Sequence, residues 1–212
     1  QNAYNQTFVD AVRATGGNNA KRHLIVQTYV CNPWFGIDNG DFIIPKDLDG
    51  NGNNYMSVEF HYYQPWSYAG YPDTGDRYDY WGDKYKDAGK TPADNEKTMT
   101  DFFDRVANTW SSQGLGIVIG EWGVTNRDNS NPEKVHENMT YYCNCLTKEA
   151  HDRYFSTFVW DNNKFGYGPE NYGIFDRSEN KNMEVKAPWI LDGIYKQTDG
   201  LNGYVDYSIK HC

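Results

Sequence analysis

The sequence predicts an α/β fold in which four parallel β-strands alternate with helices. Four short segments are rich in β-branched and aromatic residues, as is typical of strands. They lie at residues 23–29, 55–63, 117–119 and 155–160. Helical patterns or long loops separate them, and crossovers of that length join parallel rather than antiparallel strands. Because 212 residues suffice for one domain with a sizeable core, we expect residues 1–212 to form a single domain.

The segment before the first strand is a predicted helix over residues 5–13. Helical spacing places Phe8, Val9 and Val12 on one face, which we expect to be the buried face. The helix should end at residues 15–19, because paired glycines and asparagines are typical of a helix C-terminus followed by a turn.

Residues 47–54 carry acids and amides at alternate positions, as a calcium-binding loop does. The bidentate glutamate that such a loop needs further along is absent, and no predicted helix pair flanks the stretch. We therefore expect a glycine-rich turn rather than a metal site.

The second strand, residues 55–63, presents Glu59, His61 and Tyr63 on one face, because side chains alternate along a strand. The following loop, residues 64–94, carries several tryptophans and tyrosines. A loop of that length is usually functional or mobile rather than a simple connection.

The third strand, residues 117–119, follows a predicted helix over residues 94–110 and leads directly to Glu121 and Trp122. An apolar strand does not tolerate a carboxylate in the core, so Glu121 should lie where the strand leaves the core. In parallel α/β folds the carboxyl ends of the strands carry the active site. The alternative for Glu121 alone is a solvated or helix-capping residue.

The last third of the chain repeats the pattern. A helix is predicted over residues 132–152, because asparagine and proline at its start are typical of a helix N-terminus. The fourth strand, residues 155–160, leads to Asp161 and Asn162. A final helix over residues 187–196 and a polar tail complete the chain.

Composition excludes two classes of partner. The net charge is −9 and no basic stripe is present, so a nucleic-acid partner is not expected. The longest apolar runs have strand length, far short of the roughly 20 residues that a membrane helix needs. Aromatic residues make up 17% of the chain, which indicates either a surface that stacks on sugar rings or an aromatic-rich core.

The cysteines are Cys31, Cys143, Cys145 and Cys212, too few and too scattered for a disulfide scaffold. Cys143 and Cys145 lie on one predicted helix, where residues two apart point to different faces, so we do not expect a metal clip from this pair. We expect no metal and no cofactor, and the disulfide state of the four cysteines stays open.

Several motifs resemble those of glycoside hydrolase family 5, the cellulase-like enzymes, and in particular its endoglucanase and xyloglucanase subfamily 4. They lie at residues 15–19, 23–26, 61–63, 119–123, 159–162 and 172–177. The resemblance implies the C-terminal half of a (β/α)8 TIM barrel, strands five to eight. It also implies an endo-acting β-1,4-glucan hydrolase with a retaining mechanism, whose partner is a β-glucan polysaccharide or oligosaccharide outside the cell.

The same resemblance implies roles for individual residues. Glu121 would be the nucleophile, Tyr63 would hydrogen-bond it, and His61 would lie near the acid/base and the sugar. Trp160 would stack under the sugar at the cleavage point. The further residues expected to bind substrate are Trp34, Trp66, Asp161 and Asn162.

The general acid/base of the family lies on strand four, and no matching motif is present among these four strands. Asp161 is the better substitute acid of those available, ahead of the deeper Glu59. Four strands alone would leave two unpaired edges and an apolar face. We expect a homodimer to complete the barrel, and the alternative is a missing N-terminal half.

Two rival functions remain open at this point. In the first, the chain is a carbohydrate-binding fragment that lacks turnover, with Trp34, Trp66, Trp81 and Trp160 stacking on sugars. In the second, it is an α/β hydrolase or a nucleotide-binding domain. The absence of a Gly-x-Ser-x-Gly elbow and of a glycine-rich phosphate loop argues against the second.

Overall fold

The computed structural model describes residues 1–127 and 129–195, and the polar tail and Cys212 lie outside these residues. The helices are α1 (Asn2–Ala14), α2 (Pro33–Ile37), α3 (Trp66–Ala69), α4 (Glu96–Thr109), α5 (Pro132–Asp152) and α6 (Pro188–Tyr195). The strands are β1 (Leu24–Gln27), β2 (Met56–Tyr62), β3 (Gly116–Trp122), β4 (Ser156–Val159), β5 (Phe175–Asp176) and β6 (Glu184–Val185). In the described part of the chain, no helix is both long and apolar enough to cross a membrane.

The described residues fall into two compact units. The first holds Gln1–Tyr62, Asp101–Trp122 and Asp152–Phe158. The second holds Tyr63–Thr100, Gly123–His151 and the residues from Val159 onward. The expectation that residues 1–212 act as a single domain stays a prediction.

A four-stranded sheet in the order β1-β2-β3-β4 organises the chain, and β2 pairs in parallel with both β1 and β3. The predicted alternation of strands with helices is confirmed. The third strand is longer than predicted, because it continues from Ile119 through Glu121 to Trp122. The Glu121 side chain is 30% exposed, so the strand can include this carboxylate without burying it in the core.

One face of β2 builds the core of the first unit. Phe60 and Tyr62 are buried and pack against aromatic residues of α4. The ring centroid of Tyr62 lies 5.4 Å from that of Phe102 and 5.1 Å from that of Phe103. The helix predicted over residues 94–110 is confirmed as Glu96–Thr109, and the apolar residues at helical spacing along this segment form a buried face. Its buried members are Met99, Phe102, Phe103, Val106 and Trp110.

The buried face of α1 differs from the predicted one. Phe8 is 43% exposed, whereas Asn5, Val9 and Arg13 are buried. Polar residues tolerate this burial because each has partners: Asn5 donates to a backbone carbonyl of β1, and Arg13 pairs with Asp47 at 2.7 Å. Asp47 opens the predicted glycine-rich turn, which is confirmed as a turn.

The long loop of the second unit, residues 64–94, contributes several aromatic side chains to the core, among them Tyr68, Trp81 and Tyr85. Trp81 is 1% exposed, and its backbone N–H and C=O both bond to the Asn138 side chain. Its ring meets that of Tyr142 on α5 edge to face, with centroids 5.0 Å apart. The hypothesis that Trp81 stacks on sugars is therefore wrong, because no face of its ring reaches solvent.

Arg127 holds together another part of the second unit. It is 2% exposed and donates to the carbonyl oxygens of Tyr68 and Tyr78 at 2.8 Å and of Thr125 at 3.2 Å. Its guanidinium also lies 4.3 Å from the centre of the Tyr68 ring. Burial lowers the pKa of Arg127, and the carbonyl dipoles compensate for the lost hydration.

The C-terminal elements of the second unit include one helix that the sequence predicts and two short strands that it does not. α6 ends at Tyr195, and the predicted last residue of this helix, Lys196, lies outside the described residues. The two-residue strands β5 and β6 pair antiparallel, an element that residue pattern did not indicate.

Candidate active site on strands β2 and β3

Glu121 meets His61 because the pairing of β2 with β3 shifts by one residue. Phe60 lies opposite Ile119, but the next residue, His61, lies opposite Glu121. Gly120 is thus the extra residue of a β-bulge, a feature that re-aims side chains near active sites. The shift brings two predicted catalytic residues, His61 and Glu121, to one position of the sheet.

His61 bridges two carboxylates. Its Nδ1 lies 3.3 Å from Glu121 Oε2, and its Nε2 lies 3.0 Å from Glu59 Oε1. Burial lowers the pKa of His61, but the hydrogen bond to Glu59 and the negative charges of Glu59 and Glu121 outweigh burial and raise this pKa above its ordinary value. The arrangement favours an imidazolium that donates to both acids.

Glu59 is the buried member of this group. Its side chain is 12% exposed against 30% for Glu121, which agrees with its deeper predicted position. Its Oε2 is buried and has no hydrogen-bond partner in the described part of the protein. Gly120 makes room for it, since a Cβ at that position would lie 2.0 Å from Glu59 Oε1.

Cys31 is a fourth member that sequence analysis did not connect with the site. Its Sγ and the nearest ligand atoms of Glu59 and His61 all lie within 4.8 Å of one another. Gln27 Nε2 donates to this sulfur at 2.7 Å. Burial and then the charges of Glu59 and Glu121 raise the pKa of the Cys31 thiol to about 11. No sequence signal could have found Cys31, because it follows β1 and belongs to no motif around β2 or β3.

The other described cysteines lie elsewhere. Cys143 and Cys145 are buried on α5 in the second unit, and Cys31, Cys143 and Cys145 are all free thiols. Cys212 lies outside the described residues, so any pairing that involves it stays open.

Trp34 is the predicted sugar-binding tryptophan of the first unit. Trp34 lies on α2. The Asn32 side chain caps this helix by accepting a hydrogen bond from the backbone N–H of Trp34. Its ring is half-buried against Phe102, with centroids 4.3 Å apart, and the Arg105 guanidinium lies 5.7 Å from the ring centre. Part of its surface is thus already used for packing.

Tyr63 and Trp66 come together in the second unit. Their ring centroids are 6.1 Å apart in an edge-to-face arrangement, and Tyr63 also contacts Tyr172 at 5.7 Å. Trp66 is 47% exposed, which leaves a ring face for a ligand.

Trp160 and its neighbours follow β4 in the same unit. Trp160 is 39% exposed. Asp161 is not free, because its carboxylate accepts from Arg177 at 2.5 Å and from the backbone N–H groups of Ile174 and Phe175 at 3.0 and 3.2 Å. Asn162 donates to a backbone carbonyl at 3.0 Å, so these two polar residues order the loop that follows the strand.

Comparison with known proteins agrees with the family motifs. Endoglucanase B of Clostridium cellulovorans is 31% identical over 209 residues, which is 98% of this chain and 42% of that protein. The family 5 xyloglucanase of Paenibacillus pabuli has a TM-score of 0.79 at 29% identity, covering 91% of this chain and 53% of that one. A Bacteroidetes-affiliated GH5 cellulase has a TM-score of 0.75 at 30% identity, covering 91% and 46%. This chain spans about half the length of the relatives it matches.

These fold neighbours and the four-stranded parallel sheet with its helices fit part of an α/β barrel. The family model described as cellulase (glycosyl hydrolase family 5) matches residues 1–166, well over half of the chain. The chain therefore belongs to glycosyl hydrolase family 5.

Proposed function

We propose that this chain supplies the nucleophile of an endo-acting β-1,4-glucan hydrolase that retains the anomeric configuration, and that Glu121 is this nucleophile. The observation that carries the proposal is the Glu121 carboxylate, 30% exposed near the C-terminal end of β3 and held 3.3 Å from His61 Nδ1. A retaining glycosidase attacks the anomeric carbon with one carboxylate while a second carboxyl group protonates the leaving oxygen.

The other predicted residues take supporting roles in this proposal. His61 orients Glu121 through its Nδ1 proton and contributes positive charge. For Tyr63, the family motif implies a role as hydrogen-bond donor to the nucleophile, and this role stays a prediction. The half-exposed rings of Trp66 and Trp160 stack on sugar rings, since flat aromatic faces suit the apolar faces of pyranose rings.

Three further residues, Trp34, Asp161 and Asn162, are each proposed to contribute to substrate binding. Trp34 offers the part of its ring that Phe102 does not cover. Asp161 and Asn162 shape the loop after β4 through their bonds to its backbone, and they reach substrate mainly by positioning that loop.

The proposed substrates are β-1,4-linked glucans. Among the relatives are a lichenase from Caldicellulosiruptor sp. F32 in complex with cellotetraose and a Bacteroides ovatus xyloglucanase in complex with a XXXG heptasaccharide. A GH5-4 broad specificity endoglucanase from Bacteroides salanitronis is 32% identical. Because such polysaccharides lie outside cells, we propose a secreted or cell-surface location.

The general acid/base is proposed to come from outside these four strands. Glu59 is separated from Glu121 by the imidazole ring of His61 and is 12% exposed, so it cannot face the leaving group. Asp161 is occupied by Arg177 and three backbone N–H groups. A second copy of the chain or the N-terminal half of a longer barrel would supply the acid. A monomeric mass by light scattering would contradict the dimer.

A mechanism-based label tests the nucleophile without requiring the general acid. Glu121 would attack C1 of 2,4-dinitrophenyl 2-deoxy-2-fluoro-β-cellobioside. The bond between C1 and the dinitrophenyl oxygen would break. The electron pair would leave with dinitrophenolate, which needs no protonation. We expect mass spectrometry to find one fluorocellobiosyl group on the peptide that contains Glu121.

Glu121→Gln should abolish this label. Glu133 is an exposed acid in the first turn of α5, so the control variant Glu133→Gln should be labelled as the wild type is. A label elsewhere, or none in a folded chain, would refute the nucleophile assignment. Binding of cello-oligosaccharides without any label would select the rival, a carbohydrate-binding fragment without turnover.

A further inference from the structure

The cluster of Cys31, Glu59 and His61 has a composition that the proposed hydrolysis does not use. It combines a thiol, a carboxylate and an imidazole whose ligand atoms all lie within 4.8 Å of one another. Tetrahedral zinc, with bonds of about 2.0 to 2.3 Å, needs its ligand atoms roughly 3.4 to 3.6 Å apart. Glu59 Oε1 and His61 Nε2 already lie 3.0 Å apart, so it is mainly Cys31 Sγ that needs to approach, by at most roughly 1 Å, within reach of side-chain rotation. We propose that Cys31, Glu59 and His61 form a Zn²⁺ site.

The surroundings of His61 suit a metal ligand. Its Nδ1 faces Glu121 Oε2 at 3.3 Å, so the proton of a neutral ring is held on Nδ1 and the Nε2 lone pair points toward Glu59, 3.0 Å away. A carboxylate that accepts from the far nitrogen of a histidine is the usual partner behind a zinc ligand, because it fixes the tautomer and increases the basicity of the ring.

The other two ligands carry independent indications. Glu59 Oε2 is a buried carboxylate oxygen with no hydrogen-bond partner in the described part of the protein, and a cation would satisfy it. The Cys31 sulfur accepts from Gln27 Nε2 at 2.7 Å, which fixes the direction of the sulfur. Gly120 leaves the space in which Glu59 lies.

The ligand set also selects the metal. One thiolate, one imidazole and one carboxylate suit Zn²⁺, whereas Mg²⁺ and Ca²⁺ prefer oxygen ligands alone. Three protein ligands leave a fourth position for water. On binding, the thiol proton of Cys31 and the Nε2 proton of His61 pass to solvent, and no redox change occurs.

Cobalt substitution tests the site without any enzyme assay. The 212-residue chain, without a polyhistidine tag and with Cys212→Ser to remove a competing thiol, is reduced, desalted and titrated with Co²⁺. We expect a near-ultraviolet thiolate-to-cobalt charge-transfer band that saturates at one equivalent and disappears when Zn²⁺ is added. No saturable band would overturn the proposal.

Variants assign the band to the cluster. Cys31→Ser should abolish it, and Glu59→Gln and His61→Asn, which keep the thiol, should weaken cobalt affinity at least tenfold. Cys145→Ser, a thiol of the second unit, should leave the band unchanged. A band that survives Cys31→Ser, or an affinity unchanged in folded Glu59→Gln and His61→Asn, would overturn the site. These readouts are independent of whether Glu121 is the nucleophile.

Discussion

Substituting Gly120 by alanine is expected to separate Glu59 from His61. An alanine Cβ would lie 2.0 Å from Glu59 Oε1, 2.8 Å from its Cδ and 2.9 Å from its Cγ. Ordinary contact begins at 3.4 Å, so the carboxylate oxygen must retreat by about 1.4 Å. The colliding atoms belong to a flexible side chain, so the strand should persist at a cost of about 1 kcal/mol, the lower end for overpacking.

The retreat should break the 3.0 Å contact between Glu59 Oε1 and His61 Nε2. Burial lowers the pKa of His61, and the hydrogen bond and charge of Glu59 are the largest influences that oppose burial. Without them, only the charge of Glu121 still favours the imidazolium. The pKa of His61 should therefore fall in the Gly120→Ala variant.

Nuclear magnetic resonance titration of the His61 ring proton, in the presence of a chelator, measures this pKa directly. His61→Asn identifies the resonance. A histidine whose pKa is raised on folding contributes stability below its unfolded pKa, and this contribution disappears as pH rises through the folded pKa. Gly120→Ala should therefore lose more unfolding free energy at about pH 5 than at about pH 8, measured by urea denaturation.

The Glu59→Ala background provides the matched control. With no carboxylate to displace, Gly120→Ala should leave the pKa of His61 where Glu59→Ala alone puts it. If Gly120→Ala folds and the His61 pKa equals that of the wild type, Glu59 does not hold the imidazolium and the reasoning fails.

The remaining predictions concern buried charges. Asp47→Asn should lower the unfolding free energy by about 3 to 5 kcal/mol in urea, because it leaves the Arg13 guanidinium, 2% exposed, without its counter-ion. Since Arg13 lowers the pKa of Asp47 to about 2, this contribution should be complete above the ordinary carboxyl range and lost as pH falls toward 2. Arg127→Lys should cost about 2 to 4 kcal/mol, because an ammonium cannot reach all the carbonyls that the guanidinium binds. Arg105→Lys, at an exposed pair with Asp38, is the control and should cost less than about 1 kcal/mol; equal losses at Arg127 and Arg105 would contradict the argument.

The pattern of apolar residues was enough to predict most of the elements. Residues 132–152 form a helix with the predicted bounds, because asparagine and proline start it and one apolar face continues through five turns. The four strands were found because β-branched runs between turn residues leave few alternatives. Phe8 was assigned to the wrong face of α1, since the Arg13–Asp47 ion pair made a polar face the buried one.

The candidate site could be predicted only in part. Alternation placed Glu59 and His61 on one face, and the position after an apolar strand singled out Glu121. The one-residue shift that brings His61 opposite Glu121 depends on how two strands pair, and neither strand encodes it alone. Cys31 joins the group through the tertiary fold, so no local pattern could have included it.

The geometry of His61 makes the proposed zinc site and the observed hydrogen bond alternatives to each other. Nε2 can donate a proton to Glu59 Oε1 at 3.0 Å, or it can offer its lone pair to a metal, but it cannot do both. The Nδ1 proton faces Glu121 at 3.3 Å in either state. Metal binding would therefore replace a mobile proton by a fixed divalent charge while leaving His61 oriented toward the proposed nucleophile. Zinc and a proton should therefore compete for Nε2 of His61, and Glu59 stabilises both the zinc-bound ring and the imidazolium.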